Sequence, residues 1–314
     1  AEQEWLTSRD VTDSGWKTIQ PQLPFYLFNP QNTKRLDEYN NGFKITDAIP
    51  VNSVGIVTGQ DARTIAFDSK SADKLAVQLE VSREYVASVL YRPFDQRFIV
   101  YHSSVVTRAR EEVMRHMLAG ENLGLIYMRQ VALNDVYSHF GASRNLVDNR
   151  AFYSNKGIMS IGPLYLYPSS EAGADKLFAE GPGPGKGGRR PNLSPEFVAE
   201  FGEKLGLAFV PDGVGTLKKT FGPEDVFHYA YAMFHSPTYR SRYAEFLKID
   251  FPRLPLTSDR KLFARLCALG AELVGLSKNT RFDGWRVKGP TVGTVVGGEV
   301  VWEMARRAGS SPST

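Results

Sequence analysis

Between Phe221 and Leu276 the chain alternates strong helix signals with prolines that forbid one continuous helix. Pro223 has a φ suited to a first helical position, and Glu224 and Asp225 favour the positive end of a helix dipole. Phe227, Ala230, Tyr231 and Phe234 then recur at helical spacing. Ser236-Pro237 stops that helix, because the residue before a proline is pushed out of the α region. Thr238 to Leu247 resumes as a basic amphipathic helix carrying Arg240 and Arg242. Asp250-Phe251-Pro252-Arg253-Leu254-Pro255 excludes a helix interior, since each proline removes a donor and clashes with the preceding turn. Ser258 can cap a last helix, where Leu262, Phe263, Leu266, Leu269, Leu273 and Leu276 form one wide apolar stripe. The expected product is a three-helix unit crossed by an extended basic segment, with Arg240, Arg242 and Arg253 left over for phosphate or domain contacts.

The 314 residues allow one large domain or two ordinary ones, and 42% hydrophobic with 12% aromatic content is globular. No apolar run approaches the ~20 residues that span a bilayer, and residues 1–20 do not resemble a signal peptide. A membrane partner is therefore not expected. The single cysteine, Cys267, fits a cytoplasmic location and a buried structural thiol. A chain opening on Ala1 is expected to be an excised piece of something larger. The net charge of +4 permits an acidic partner but does not require one.

Before the helical stretch the pattern is strand-rich. Residues 1–20 read as a lead-in with Trp5 and Trp16, and Pro24 to Phe28 as a short strand. Ser53 to Arg63 is a β-branched segment meeting a glycine-bearing polar turn, Thr64 to Phe67 a returning strand, and Ser71 to Leu90 helical. Phe98 to Tyr101 reads as a strand, Thr107 to Met117 as an arginine-rich helix, and Leu123 to Gln130 as a buried strand. Val136 to Phe140 and Ile158 to Tyr167 complete that half. Gly181 to Arg190 is a solvated linker by composition; it lacks the spaced glycines and following Ser/Thr of a P-loop. Two β-rich runs around Gly297-Gly298 read as a hairpin. The fold class is α+β: a strand-rich mixed part over 1–170, a Gly/Pro-rich linker over 171–193, and a helical scaffold with a terminal hairpin over 194–314.

Self-contained catalysis should leave a trace in the residues. No HExxH, paired-cysteine metal site, GxSxG or dinucleotide fingerprint occurs. His228 and His235 could share a helix face but lack a third ligand, so packing is the simpler reading. Asn29-Pro30 is followed by Gln31, which is not the tetrad of amino-methyltransferases, and Asp95, Glu111 and Glu112 make no nuclease set. No catalytic, cofactor or metal residues are assigned. What stands out is Arg92, Arg97, Arg108, Arg110, Arg129, Gln130, Arg144 and Asn145, all in the first half and interleaved with Tyr91, Tyr101 and Tyr127, with Arg92, Arg97, Arg129 and Gln130 in turns or at strand ends. Arg and Gln can read base edges bidentately, and Arg also clamps phosphate. Ordinary solvated surface charge is the competing reading, and Arg92 and Arg97 pairing with Asp95 or nearby carboxylates is its specific form.

Four segments resemble the C-terminal specificity region of Type ISP restriction–modification enzymes, single-chain relatives of Type I systems. They are Gly55-Ile56-Val57-Thr58-Gly59-Gln60-Asp61; Tyr91-Arg92-Pro93-Phe94-Asp95 with Arg97; Leu123 to Gln130; and Glu224 to Tyr231 through His235-Ser236-Pro237-Thr238-Tyr239-Arg240 to Asp250-Phe251-Pro252-Arg253-Leu254-Pro255. The resemblance implies a target recognition domain that follows a γ-class adenine methyltransferase domain, in an enzyme of prokaryotic defence that also carries a nuclease and a helicase-like motor. It implies that double-stranded DNA and the methyltransferase domain of the same polypeptide are the partners. S-adenosylmethionine would then bind upstream, with no cofactor in this chain. The alternative from another class is a protein–protein docking module without base contacts; a stand-alone enzyme is disfavoured by the missing motifs.

Overall fold

The computed structural model describes residues 35–131, 137–154, 156–168 and 188–278, together with the backbone of 293–296 and 299–303. The chain divides into two compact units, Ala1–Thr280 and Arg281–Thr314. In the second, Gly293–Val296 pairs antiparallel with Glu299–Glu303, the hairpin the sequence predicts. The expectations for residues 1–28 and for 181–187 lie outside the described residues.

The strand-rich half of the first unit holds two four-stranded sheets. Its strands are β1 (Ser53–Val54), β2 (Ile65–Ala66), β3 (Val86–Arg92), β4 (Asp95–Val100), β5 (Gly124–Met128), β6 (Gly141–Ser143), β7 (Leu146–Val147) and β8 (Met159–Pro163). One sheet has the order β1-β8-β5-β6 and the other β2-β4-β3-β7. Strands β5 and β8 are buried along their whole length, as central strands with both faces covered must be. Helix α1 (Ser69–Gln78) is capped by Asp68, whose carboxylate accepts from the Ser71 amide at 2.9 Å. It ends well short of the expected Leu90: Glu80 turns the chain at φ 56°, and Val86–Arg92 is strand instead. Thr64 closes a helical turn over Asp61–Thr64 and only Ile65–Ala66 of the expected strand pairs. The expected strand over 136–140 is not formed at 137–140, where the Tyr137 hydroxyl bonds the Met128 backbone; Val136 lies outside the described residues. The arginine-rich helix begins later than expected, as α2 (Glu111–Leu118), because Arg110 sits in the left-handed region at φ 59°.

The helical half follows the proline punctuation. Ser194 caps α3 (Pro195–Leu205), accepting from the Phe197 amide at 3.2 Å. Pro223 opens α4 (Pro223–His235), and the buried Asp225 carboxylate accepts from the Gly215 and Gly222 amides at 2.6 and 2.9 Å. The expected basic helix is split into α5 (Pro237–Arg242) and α6 (Ala244–Leu247). Segment 252–255 is extended as expected: Arg253–Leu254 pairs with Phe43–Lys44, and the Tyr239 and Tyr229 hydroxyls donate to the Arg253 and Pro255 carbonyls at 2.6 and 2.7 Å. Its cations are used internally. Arg242 pairs with Glu38 at 2.6 Å, Arg253 donates to the Gly42 carbonyl at 3.0 Å, and Arg240 donates to the Phe234 carbonyl at 2.7 Å.

Helix α7 (Arg260–Lys278) exists where predicted but faces differently. Its buried positions are Phe263, Cys267, Gly270 and Val274, whereas Leu262, Leu269 and Leu276 are 43%, 50% and 46% exposed. Gly270 decides this: a Cβ there would collide with the His228 carbonyl, so α4 and α7 touch backbone to backbone at that point. The Cys267 thiol donates to the Asp225 carbonyl at 3.3 Å, and burial pushes it above its ordinary pKa. One core cluster runs from Tyr39 through β3, β5 and β8 to Phe201, Phe234 and Phe263. Asn192, 1% exposed, docks the segment leading into α3 onto the strand-rich half, donating to the Val51 and Pro163 carbonyls at 2.7 and 2.8 Å. No helix among the described residues is long and apolar enough to cross a membrane.

Candidate nucleic-acid interface

The Gly55–Asp61 segment threads between two others and fixes them. The Ile56 amide donates to the Val147 carbonyl at 2.8 Å, and the Asn149 amide returns to Ile56 at 2.9 Å. Val57 and Arg108 exchange backbone hydrogen bonds at 3.1 and 3.0 Å. Gly59, at φ 78°, turns the chain where a Cβ would strike the Thr107 hydroxyl, so the threonine–glycine pair is a steric requirement of this crossing. Segments 56–61, 107–110, 146–150 and 90–97 are therefore neighbours although far apart in sequence.

At their junction lies a polar hub. Asp148, 3% exposed, accepts from Arg92 at 2.8 Å and from the Arg150 amide at 2.9 Å. Burial nevertheless holds its pKa above the ordinary carboxylate value. Asp61 accepts from the Thr58 hydroxyl and, at 2.5 Å, from the Tyr91 hydroxyl. Partial burial opposes its ionisation, but those bonds and the charge of Arg92 outweigh it and the pKa is lowered. Arg92 stacks on Tyr91 with its guanidinium 3.8 Å from the ring centre. Arg97 lies 4.2 Å from the Tyr91 and Phe67 ring centres and pairs with Asp95 at 2.8 Å.

The sequence-derived candidates thus separate by environment. Arg92 and Arg97 are engaged by carboxylates. Arg129 pairs with Asp250 at 3.2 Å, and Gln130 donates to the Lys156 carbonyl at 2.8 Å, both at the far end of β5 in the other sheet. Arg108 and Arg144 are exposed and Arg110 is half-buried; none of them has an ion pair among the described residues. Asn145 sits in a tight β6–β7 turn whose Ser143 hydroxyl accepts from the Asn145 amide at 3.0 Å. Sequence reasoning passed over Arg63 and Gln60, both exposed and hydrogen-bonded to each other at 3.1 Å. They edge a polar recess of about 380 Å³ that also includes Thr58, Ser104 and Thr107. Their signal was the polar end of the Thr58-Gly59-Gln60-Asp61 motif.

A second, more apolar cavity of about 430 Å³ opens between the β3–β4 hairpin, the β6–β7 turn and the end of α4. Phe94, Gln96, Arg144, Asn145, Phe152 and His235 are among its walls. Phe94 is 56% exposed and sits at φ 63°, a conformation costing a bulky side chain about 1–3 kcal/mol. His235 faces Arg240 through Nδ1 at 3.0 Å; since Arg240 can only donate, Nδ1 accepts and the ring proton is on Nε2. Burial and the neighbouring Arg240 push His235 down to about 4, so it is neutral at pH 7. Neither Phe94 nor His235 was singled out for this site, because the cavity is assembled from segments far apart in sequence.

The chain has no significant sequence match among curated proteins. Its fold is similar to parts of several solved structures. A DrdV–DNA complex determined by cryo-EM matches with TM-score 0.62 and 17% identity, over 87% of this chain and 29% of that one. A nuclease-deletion mutant of the Type ISP restriction–modification enzyme LlaGI, in complex with a DNA substrate mimic, matches with TM-score 0.57 and 17% identity, over 85% and 25%. The ATP-dependent Type ISP restriction–modification enzyme LlaBIII bound to DNA matches with TM-score 0.58 and 18% identity, over 82% and 18%. The chain thus spans less than a third of the length of each. A model of the Type ISP C-terminal specificity domain matches residues 27–304, and the chain belongs to that family.

Proposed function

We infer that this chain is the DNA target recognition domain of a Type ISP restriction–modification enzyme. The observation that carries the reading is the family match over 27–304 on a fold whose solved neighbours were determined as DNA complexes. The strand-rich half supplies the chemistry. Exposed Arg108 and Arg144, with Arg63, stand on segments anchored near the half-buried Arg92 and its buried partner Asp148, so long cationic side chains project from rigid backbone. Phosphate contacts from such residues give salt-dependent affinity, and a few base-edge contacts give sequence discrimination. In this reading the strand-rich half faces DNA and the helical part is scaffold; the end of the expected linker is built into the fold, with Arg190–Pro191 paired to Tyr165–Leu166 and Arg189 ion-paired to Asp212 at 2.6 Å.

The parent polypeptide would then carry the adenine methyltransferase and its S-adenosylmethionine outside this chain, with the recognition domain holding the duplex in register while the base is extruded. Selection of bound sequences from random duplexes tests the reading. A single enriched motif is expected, with affinity falling linearly in log[salt]. Absence of enrichment at low salt, with no salt dependence, would refute it. Calorimetric titration of the chain with S-adenosylmethionine should give no saturable isotherm; a micromolar one would place the cofactor here instead.

A further inference from the structure

We propose that the 430 Å³ cavity between the β3–β4 hairpin, the β6–β7 turn and the end of α4 seats a single unstacked nucleobase of the bound DNA, with Phe94 as the wedge beside it. The inference rests on the DNA reading above and names what one part of the surface takes. The volume falls within the roughly 300–1,000 Å³ of small-ligand sites. The walls suit a planar heterocycle: Phe94, Phe140 and Phe152 are among its apolar lining, and Gln96, Arg144 and Asn145 among its polar lining. Amides of Gln and Asn present donor and acceptor together, the pattern an adenine edge requires, and Arg matches the two acceptors of guanine.

Phe94 is the second, independent observation. An aromatic side chain 56% exposed, on a left-handed residue, is doubly unfavourable in the free protein. The turn is nevertheless held by the Arg97–Asp95 pair at 2.8 Å. Apolar wedges inserted at a base step unstack it, and an aromatic surface then stacks on the freed base. Arg144, exposed and without an ion pair among the described residues, suits the phosphate flanking such a base.

A free nucleotide offers the same ring, so the test separates the two sources. The 314-residue chain is assayed with its selected duplex, walking a single abasic substitution along both strands. At one position the lesion is expected to weaken wild-type binding by about tenfold or more, the scale of one stacked base. In A142W, which fills the cavity from β6, the same lesion should change binding by less than about twofold. Because A142W can disturb packing, F94A is the second variant. A 2-aminopurine at that position should brighten on binding to wild type and stay dark with F94A. Deoxynucleoside monophosphates should give no isotherm that A142W abolishes; if they do so at duplex-like affinity, the cavity is a free-nucleotide site and the DNA assignment is overturned. Sequence-selective binding without any lesion coupled to A142W, or without fluorescence lost in F94A, overturns the inference and leaves the DNA reading standing. Binding with neither motif nor salt dependence brings down both.

Discussion

Arg92→Ala separates a structural arginine from a base-reading one, and its cost can be worked from the hub. Asp148 is 3% exposed, and its neutralising contacts are Arg92 at 2.8 Å and the Arg150 amide at 2.9 Å. Removing one partner of a buried pair costs about 3–5 kcal/mol, because the remaining charge stays desolvated. The Arg92 side chain is 34% exposed, which screens the pair and places the expected loss at the lower end, about 3 kcal/mol. Loss of stacking on Tyr91 adds about 0.5–1 kcal/mol. The pH dependence has a definite sign. The Asp148 pKa is already raised by burial, and without Arg92 it rises further. A carboxyl whose folded pKa is raised binds its proton more readily in the fold than in the unfolded chain, so acidification favours the fold. The penalty of Arg92→Ala should therefore be full near pH 8 and shrink toward pH 5. Asp148→Asn in the same chain should recover much of it, since no charge is left stranded. Guanidinium denaturation of the four species at both pH values measures this. A loss under about 1 kcal/mol that ignores pH, or unchanged melts with one relaxed position in the selected DNA motif, would refute the structural assignment.

The facing of α7 predicts that Phe263→Ala costs about 3–5 kcal/mol while Leu269→Ala, at a half-exposed position, stays within about 0.5 kcal/mol in denaturant melts. Gly270→Val should prevent α4 and α7 from closing and give a large loss of folded protein by circular dichroism. His116, 2% exposed, accepts the Tyr167 amide through Nδ1 at 3.0 Å, and burial holds its pKa down to about 4. The unfolded chain takes up that proton first, so stability should fall as pH drops from about 6.5 to about 4, by up to about 3 kcal/mol, and His116→Gln should lose that slope. Arg108→Ala should weaken binding to cognate and scrambled duplexes alike and lower the salt slope by about one unit, with the melting temperature unchanged.

Local signals carried much of the architecture. Pro223, Ser236-Pro237 and the Pro252–Pro255 segment punctuate the helical half where the structure does, because a proline's restriction acts on its own φ and its immediate neighbour. The apolar run at Leu123 likewise became a fully buried strand. The facing of α7 was not legible: five leucines at alternating spacings of four and three outweigh Phe263, Cys267 and Gly270 in any count of hydrophobicity. Only the close approach at His228 reveals which stripe packs. Val86–Arg92 was masked by the preceding helix, since nothing in its alternating small and apolar residues marks the left-handed turn at Glu80. In the candidate site the arginines were visible but their partners were not. Arg92 meets Asp148 fifty-six residues away, across a parallel pairing of β3 with β7 that no local pattern encodes.

That partition of arginines explains how a chain with a net charge of only +4 can still present a field to a polyanion. Charge counted over the whole sequence includes Arg92, Arg97, Arg129 and Arg242, each within 2.6 to 3.2 Å of a carboxylate. At contact distance such a pair is nearly a dipole, and beyond the ~8–10 Å screening length it contributes little. What a duplex would feel is the remainder on the same sheet and its bridged segments, where Arg63, Arg108 and Arg144 stand exposed without an ion pair among the described residues. The neutralised arginines still matter to them. By pinning Asp61 and Asp148 they immobilise the turns that carry Gln60, Arg63 and Arg108, so the free cations lose less backbone entropy on contact than they would on a loose loop. Paired and unpaired arginines are therefore coupled. Breaking the Arg92–Asp148 contact should loosen the cations one turn away before it removes any charge from the surface they share.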